Sequence, residues 1–547
     1  MAEPEVALHL TLAPTADTVT VTARFGGLDG SCGRPFLQVP RIIASVSGQD
    51  YRAEDVIARD ERGELHLTEG TSDPEDVGAL FTARTFIPAR DTVGDVTLTY
   101  RAAIVPAFSP RRPGPSFDLR GIDGGFAGAF ATFLILPIDL SVRLRLTVAW
   151  AFGDREARGF TTRGAGDFTV DLTMPEVLMT FLIAGPVRTL PEEAGTAPFN
   201  AYWIGEPPFA VEDAMAWCTR AHEALTAFFR APSPAPYHFM LRPHPNRRDG
   251  GAATNDGFML EYGTGPHTEA ARRYMFLHEM VHHFVGTLDG PPGSTSWYSE
   301  GLAEHYKIKI AAEAKLLDRD AHEAEVRTMT HAYYTSPRLG LPYAEAPGRY
   351  WSDSHVQGIA YNRGFMYFAD LDALIRGRSG GSRSLDDLVL AMVEDRRAGR
   401  PYDEALWRAK LRAELGEAGI THFERMLAGD VIVPPDEAFG ADLTRVRRRT
   451  EVRRLGFTDR SLTNPPLVIA GLDPAGPAAA AGLREGDAVI SFHGAEPSVL
   501  HSTEALVLEP EVTIVVAREG GPQPITFATR AGGVPEHVWE QREVVRR

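Results

Sequence analysis

The spacing of apolar residues changes once along this chain, and that change limits what each half can become. From Val6 to about Pro186, runs such as TVTVTARF, DVTLTYRA and VRLRLTVAW are rich in β-branched residues and are broken by Gly, Pro or Asp. Short runs of that kind read as strands, so an N-terminal β-sandwich is expected. After Pro207-Pro208 the segment VEDAMAWCTRAHEALTAFF repeats its apolar residues at three- and four-residue spacing, which is helical periodicity. Helical segments then alternate with loops to about Ala441. At 547 residues the chain must hold more than one core, because single cores stop growing at roughly 250–300 residues. The stretch TRVRRRTEVRR, with six arginines between Arg445 and Arg454, marks a further boundary and reads as a solvated linker or an edge strand. No internal repeat or low-complexity tract is visible.

Charge and cysteine content remove several function classes. Lys plus Arg is 56 against 73 Asp plus Glu, and the net charge of -17 repels a phosphate backbone, so nucleic acid is not an expected partner. Cys32 and Cys218 form no Cys-x-x-Cys pair, which leaves His and carboxylates as the ligands of any metal. The start MAEPEVALHL has no basic segment followed by an apolar run, and the apolar stretch Phe126 to Leu136 is too short to span a bilayer. A cytoplasmic location without a membrane span is the expectation.

Chemistry concentrates in TEAARRYMFLHEMVHHFVG. Thr268 is a good N-cap for a helix there, and on such a helix His278 and His282 lie one turn apart on one face. Two imidazoles at that spacing can bind one tetrahedral ion, with Glu279 turned toward the water that completes the shell. This is the His-Glu-x-x-His pattern of zinc proteases. Eighteen positions after His282 comes WYSEGLAEHY, where Glu300 and Glu304 are again one turn apart. If two helices pack antiparallel, Glu300 can close the zinc shell and Glu304 can accept the remaining N–H of a ligating histidine.

Other residues compete with Glu300 for the place of third ligand. The positions that carry a third histidine in another peptidase class hold Val285 and Leu288 here, and Asp289, in Gly-Thr-Leu-Asp, stays open as a rival. His283 is turned about 100° from His282 on the helix and reads as a packing or surface residue, as does His305. A closed structural zinc site would need four protein ligands and would have no use for Glu279 beside the metal, so three ligands and a base point to an open position.

The Glu300–Glu304 layout resembles the gluzincin class, and Trp-x-x-Glu-Gly-x-x-Glu at Trp297 to Glu304 is similar to the glycyl aminopeptidase family of PDZ-bearing metallopeptidases, whose members also carry an N-terminal β-domain. The resemblance implies a thermolysin-like catalytic domain with a helical C-terminal part and one zinc ion per chain. It further implies that Tyr361, in AYNRGF, stabilises the oxyanion, with Arg363 keeping the charge of the family's Lys. NDGFMLEYG resembles, more loosely, the family's edge strand along the substrate, which would give Gly257 a place beside the substrate and let Glu261 bind a free amine. Pro477 to Leu483 and Gly486 to Ile490 resemble a bacterial PDZ domain, whose loop at Leu455, Gly456 and Phe457 would cradle a peptide's terminal carboxylate.

Together these readings predict a multidomain α+β chain: an all-β domain over 1–188, a gluzincin catalytic domain with a helical subdomain over 189–444, a PDZ domain over 445–534 and a tail over 535–547. The expected activity is hydrolysis of peptide bonds by a zinc-activated water, as an aminopeptidase taking small N-terminal residues such as Gly or Ala. Peptides or proteins are then the substrates, and a peptide C-terminus is the possible partner of the PDZ groove. An endopeptidase on the same site, and a peptide-binding protein with weak or no catalysis, are the alternatives.

Overall fold

The computed structural model describes residues 5–72, 81–109, 114–154, 156–195, 197–231, 236–244, 249–254, 256–263, 268–463, 467–494 and 509–542. The first four residues, Pro266, residues 495–508 of the expected PDZ domain and 543–547 of the expected tail lie outside them. The chain divides into two compact units, one formed by Met1–Met215 with Pro234–Gly265 and the other by Ala216–Ser233 with Pro266–Arg547.

In the first unit, alternation sets the sheets. Along Val6–Pro14, Leu8, Leu10 and Leu12 turn inward while His9 and Thr11 stay exposed, as a half-buried strand requires. It pairs antiparallel with Thr18–Gly26, Leu10 opposite Ala23, and parallel with Arg143–Trp150, Leu8 opposite Leu146, at the centre of a seven-stranded sheet. Two five-stranded sheets, one around Leu37–Ile43 and Phe81–Pro88 and one around Gly125–Ala129 and Phe181–Gly185, share its core. The β-rich expectation holds, but the layout is three sheets and not the two of a sandwich. A further mixed sheet runs in the order Arg188–Leu190, Phe199–Trp203, Tyr237–Pro243, Gly257–Tyr262, Gly250–Thr254. Its Tyr202, Met240 and Met259 pack into the same core, which is why these strands group with the N-terminal ones.

The second unit is mainly helical. A histidine helix, Glu269–Val285, is followed by a glutamate helix, Ser296–Glu313, and by helices Arg319–Thr335, Gly364–Ser379, Leu385–Arg397, Glu404–Leu415 and Glu417–Ala428. Trp297, fully buried, anchors the glutamate helix with its ring centroid 4.8 Å from Phe423 and 6.2 Å from Trp407. Such aromatic pairs add about 0.5–1.5 kcal/mol each beyond the area they bury. Where the glutamate helix meets Gly364–Ser379 the backbones touch. A Cβ on Gly301 would lie 2.6 Å from the Gly364 Cα, and one on Gly364 would lie 2.7 Å from the Gly301 Cα. Only glycine fits both positions, and the crossing sits one residue from Glu300.

The arginine-rich stretch is the strand Leu443–Arg454, paired antiparallel along its whole length with Arg530–Gln541. Residues from 535 to Gln541, expected as a tail, are therefore a strand. Glu536 and Trp539 fix it: Glu536 Oε1 lies 3.0 Å from His331 Nδ1, and the Trp539 ring packs edge-on against Phe439. Between the two ribbon strands lies a small module with its own core of Leu455, Leu462, Ile469, Leu483, Phe492 and Ile514, and strands Ala488–Phe492, Glu511–Arg518 and Gly521–Ala528. Among the described residues no helix is long and apolar enough to cross a membrane. Cys32 and Cys218 are both free.

Candidate metal centre

The histidine helix begins as the sequence predicts, with Thr268 Oγ1 accepting from the Ala271 N–H at 3.2 Å. Four residues of rise carry His278 and His282 to one face, with Nε2 atoms 3.2 Å apart. From the glutamate helix Glu300 Oε2 lies 3.3 Å from His278 Nε2 and 3.4 Å from His282 Nε2. The three atoms form a nearly equilateral triangle. A tetrahedral zinc ion with bonds of about 2.0–2.1 Å holds its ligand atoms about 3.3–3.4 Å apart, so the triangle has the size of one zinc face. Glu279 offers a carboxylate oxygen within 4.8 Å of the histidine donors.

Electrostatics points the same way. Burial disfavours charge on His278, yet Glu304, Glu300 and Glu279 outweigh it and push the imidazole pKa up to about 10. A divalent cation would supply the positive charge that a proton on His278 supplies here. Burial holds the Glu279 carboxyl above its ordinary value, against the pull of His278 and His282. The donor set thus fits zinc.

Glu304 Oε1 lies 3.0 Å from His278 Nδ1, which fixes the ring so that Nε2 faces the triangle. Its other oxygen meets Lys307 Nζ at 2.5 Å, and Lys307 also reaches Glu325 Oε1 at 2.6 Å. Burial opposes ionisation of Glu304, but Lys307 and His278 hold its pKa at about 2. Lys307 and Glu325 escaped the sequence reading, although Glu304 and Lys307 three apart on one helix were a visible signal.

Tyr361 comes from a different local geometry. Asp353 caps the helix Ser354–Gly358, accepting from His355 N at 3.0 Å and Val356 N at 3.3 Å, while Arg338 holds its other oxygen at 2.8 Å. The helix then widens into a π-turn over Ile359–Arg363 before Gly364–Ser379. Such turns recur at functional sites, because the extra residue pushes one side chain out of register. The Tyr361 ring stacks on His278, centroids 5.7 Å apart and planes 13° apart. Burial first, and then the Glu300 charge, keep the Tyr361 phenol well above its ordinary pKa, so it carries its proton. Arg363 is buried and donates to the Leu339 carbonyl at 2.9 Å, away from any charge role.

Asp289 donates its backbone N–H to the Tyr402 carbonyl at 2.7 Å. His283 packs its ring against Phe284 and His222, and His305 packs against Tyr306.

In the first unit Glu261 is almost fully buried and already engaged. Arg242 Nε donates to its Oε1 at 2.8 Å, and His244 Nε2 stands 3.2 Å from its Oε2. Its strand is not an edge, since Gly250–Thr254 covers it in an antiparallel hairpin. Gly257 is buried where a Cβ would lie 2.5 Å from the His238 carbonyl oxygen. In the C-terminal module Leu455 enters the core, the Gly456 carbonyl accepts from Asp473 N at 2.6 Å, and Phe457 packs edge-on to Phe527.

No family model matches the chain, and no curated protein matches it. Among solved structures, it superposes on an aminopeptidase N family protein from Idiomarina loihiensis with a TM-score of 0.65 at 11% identity, covering 98% of each chain. An M1 zinc metallopeptidase from Deinococcus radiodurans superposes with a TM-score of 0.50 at 17% identity, over 78% of this chain and 94% of that one. A variant of the latter bound to a Tyr-Ser-Ala substrate gives a TM-score of 0.50 at 16% identity. The likeness is one of fold: a β-rich N-terminal part followed by a helical part, as in M1 peptidases.

Proposed function

We propose that the chain is a zinc-dependent peptidase holding one metal ion through His278, His282 and Glu300. The ligand triangle with sides of 3.2, 3.3 and 3.4 Å carries the reading. Zinc bound there supplies a Lewis acid that polarises a carbonyl and lowers the pKa of water to about 7. Glu279 takes the proton of the attacking water and passes it to the leaving amine. Tyr361 keeps its proton and donates a hydrogen bond to the carbonyl oxygen as charge builds there, while Glu304 holds His278 in the ligating tautomer. A structural zinc site would need a fourth protein ligand, and Glu279 stands beside the triangle as a base instead.

Two substrate modes share this centre. The aminopeptidase mode takes small N-terminal residues such as Gly or Ala, with Gly257 and Glu261 lining the substrate and Glu261 reading its amine. The endopeptidase mode is favoured by one observation, that Arg242 and His244 already occupy the Glu261 carboxylate. The module between the ribbon strands reads as a PDZ domain, with the Leu455, Gly456 and Phe457 loop as the place for a peptide's terminal carboxylate. The test compares kcat/KM for a peptide and its N-acetylated twin with zinc-loaded protein. A preference for the free amine of about 10-fold or more, the worth of a charge-assisted hydrogen bond, supports the aminopeptidase mode. Equal rates support the endopeptidase mode, and hydrolysis of neither contradicts the peptidase reading.

A further inference from the structure

One buried tyrosine ties the two helices of the metal centre together where the chain passes from one to the other. Tyr402 lies between the helices Leu385–Arg397 and Glu404–Leu415 and is almost fully buried. Its hydroxyl donates at 2.6 Å to the carbonyl of Val285, the last residue of the histidine helix, and stands 3.0 Å from the hydroxyl of Tyr298 on the glutamate helix. Its backbone carbonyl accepts from Asp289 N at 2.7 Å, in the loop that joins the two helices. Arg396 reaches the same end of the histidine helix. Its Nη1 lies 3.5 Å from the Phe284 carbonyl oxygen, and a Cβ on Gly286 would collide with its Cζ. A cation is favoured there, at the negative end of the helix dipole.

A carbonyl oxygen can only accept, so the single hydroxyl proton of Tyr402 is committed to Val285. Tyr298 is then the donor in its bond with Tyr402. The donors run in one direction, from the glutamate helix through Tyr402 to the histidine helix, and both hydroxyls are used. The Val285 carbonyl is one of the four that a helix leaves without an internal partner at its C-terminus, and Tyr402 supplies that partner. His282 lies three residues before Val285, and Glu300 lies two residues after Tyr298. Both ligands therefore stand within one helical turn of the clamped ends.

From these bonds we infer that Tyr402 is a positioning residue for the metal centre, clamping the histidine and glutamate helices at the separation that brings Glu300 Oε2 to 3.4 Å from His282 Nε2. The inference rests on the metal-binding reading for the role of that separation. Without the clamp the helix ends part, the ligand triangle is populated for only a fraction of the time, and apparent zinc affinity falls by that fraction.

The experiment is a double-mutant cycle on the full-length protein, with zinc affinity read by chelator competition. Tyr402→Phe cuts both hydroxyl bonds and should weaken zinc binding about 10-fold, while Tyr298→Phe cuts one and should weaken it about 3-fold, in keeping with the worth of buried neutral hydrogen bonds. The double variant should be no weaker than Tyr402→Phe, because the second bond is already gone. Tyr334→Phe is the control, since it removes a buried hydroxyl bond of the same kind, to the Ile432 carbonyl at 2.9 Å, and should leave zinc affinity unchanged. Cobalt(II) in place of zinc adds a spectroscopic readout: its visible bands report ligand geometry and should shift in Tyr402→Phe but not in Tyr334→Phe. Unchanged affinity in Tyr402→Phe and Tyr298→Phe, losses that multiply in the double variant, or an equal loss in Tyr334→Phe would overturn the inference. Amide hydrogen exchange of the metal-free protein tests the clamp without the ion. Tyr402→Phe should quicken exchange over residues 286–300 and leave Glu417–Ala428 unchanged; unaltered exchange in the first segment overturns the clamp. Quickened exchange in a chain whose wild type binds no zinc would support the clamp and reject only the metal-binding reading.

Discussion

Two buried clusters of charge, one in each unit, look alike in a list of residues and differ in what they leave unfinished. Around Arg242 every acid has a base. Arg242 serves Glu261 and Asp118, and Arg120 serves Asp118 again at 2.7 Å, with His244 at the remaining Glu261 oxygen. Two carboxylates meet two guanidiniums, and the cluster is closed. Around His278 three carboxylates, Glu279, Glu300 and Glu304, meet two imidazoles, with Lys307 shared between Glu304 and Glu325. The donor atoms of His278, His282 and Glu300 in that cluster converge on one point. Burial of charge is therefore common to structure and function; donor atoms aimed at one place separate the two.

Breaking each cluster should give opposite signatures. The largest effect belongs to Glu279→Gln, which preserves shape but removes the base. Turnover should fall by about 10²–10⁴-fold with zinc content and melting temperature unchanged, as read by steady-state kinetics beside elemental analysis. Arg242→Met should do the reverse. It strands two buried carboxylates and should cost about 3–5 kcal/mol of stability in denaturant titration, while zinc content per folded chain stays the same. A stable Arg242→Met protein that had lost its zinc would erase the distinction between the clusters. Glu304→Gln sharpens the comparison from inside the centre. The amide cannot hold His278 as the carboxylate does, and zinc affinity measured by chelator competition should drop about 10- to 100-fold.

What the sequence made legible follows the range of each interaction. The Thr268 cap, the His278–His282 pair and the Glu300–Glu304 pair are one-turn relations, and one-turn relations are written in residue spacing. The strand Leu443–Arg454 was visible as a strand or linker, but its partner Arg530–Gln541 lies far along the chain and carries no matching pattern. The same limit hid the role of Glu261. It faces Arg242 in parallel register across two strands, and no local rule connects residues 242 and 261. The glycines at 301 and 364 were in plain view, yet only the crossing of two helices shows that each exists to let the other approach. The π-turn at Tyr361 is similar: the sequence marks a helix there, and the extra residue in the turn follows from packing.

The central claim is that His278, His282 and Glu300 hold one metal ion. Elemental analysis of protein loaded with zinc and then dialysed against metal-free buffer tests it most directly, in the wild type and in His278→Ala, His282→Ala and Glu300→Ala. About one zinc per wild-type chain is predicted, with loss of the metal from both histidine variants and weakened retention in Glu300→Ala. Full retention in the histidine variants, or a wild type that binds no zinc, would contradict the account. Full affinity in Glu300→Ala alone would remove Glu300 from the ligands and return Asp289 to contention.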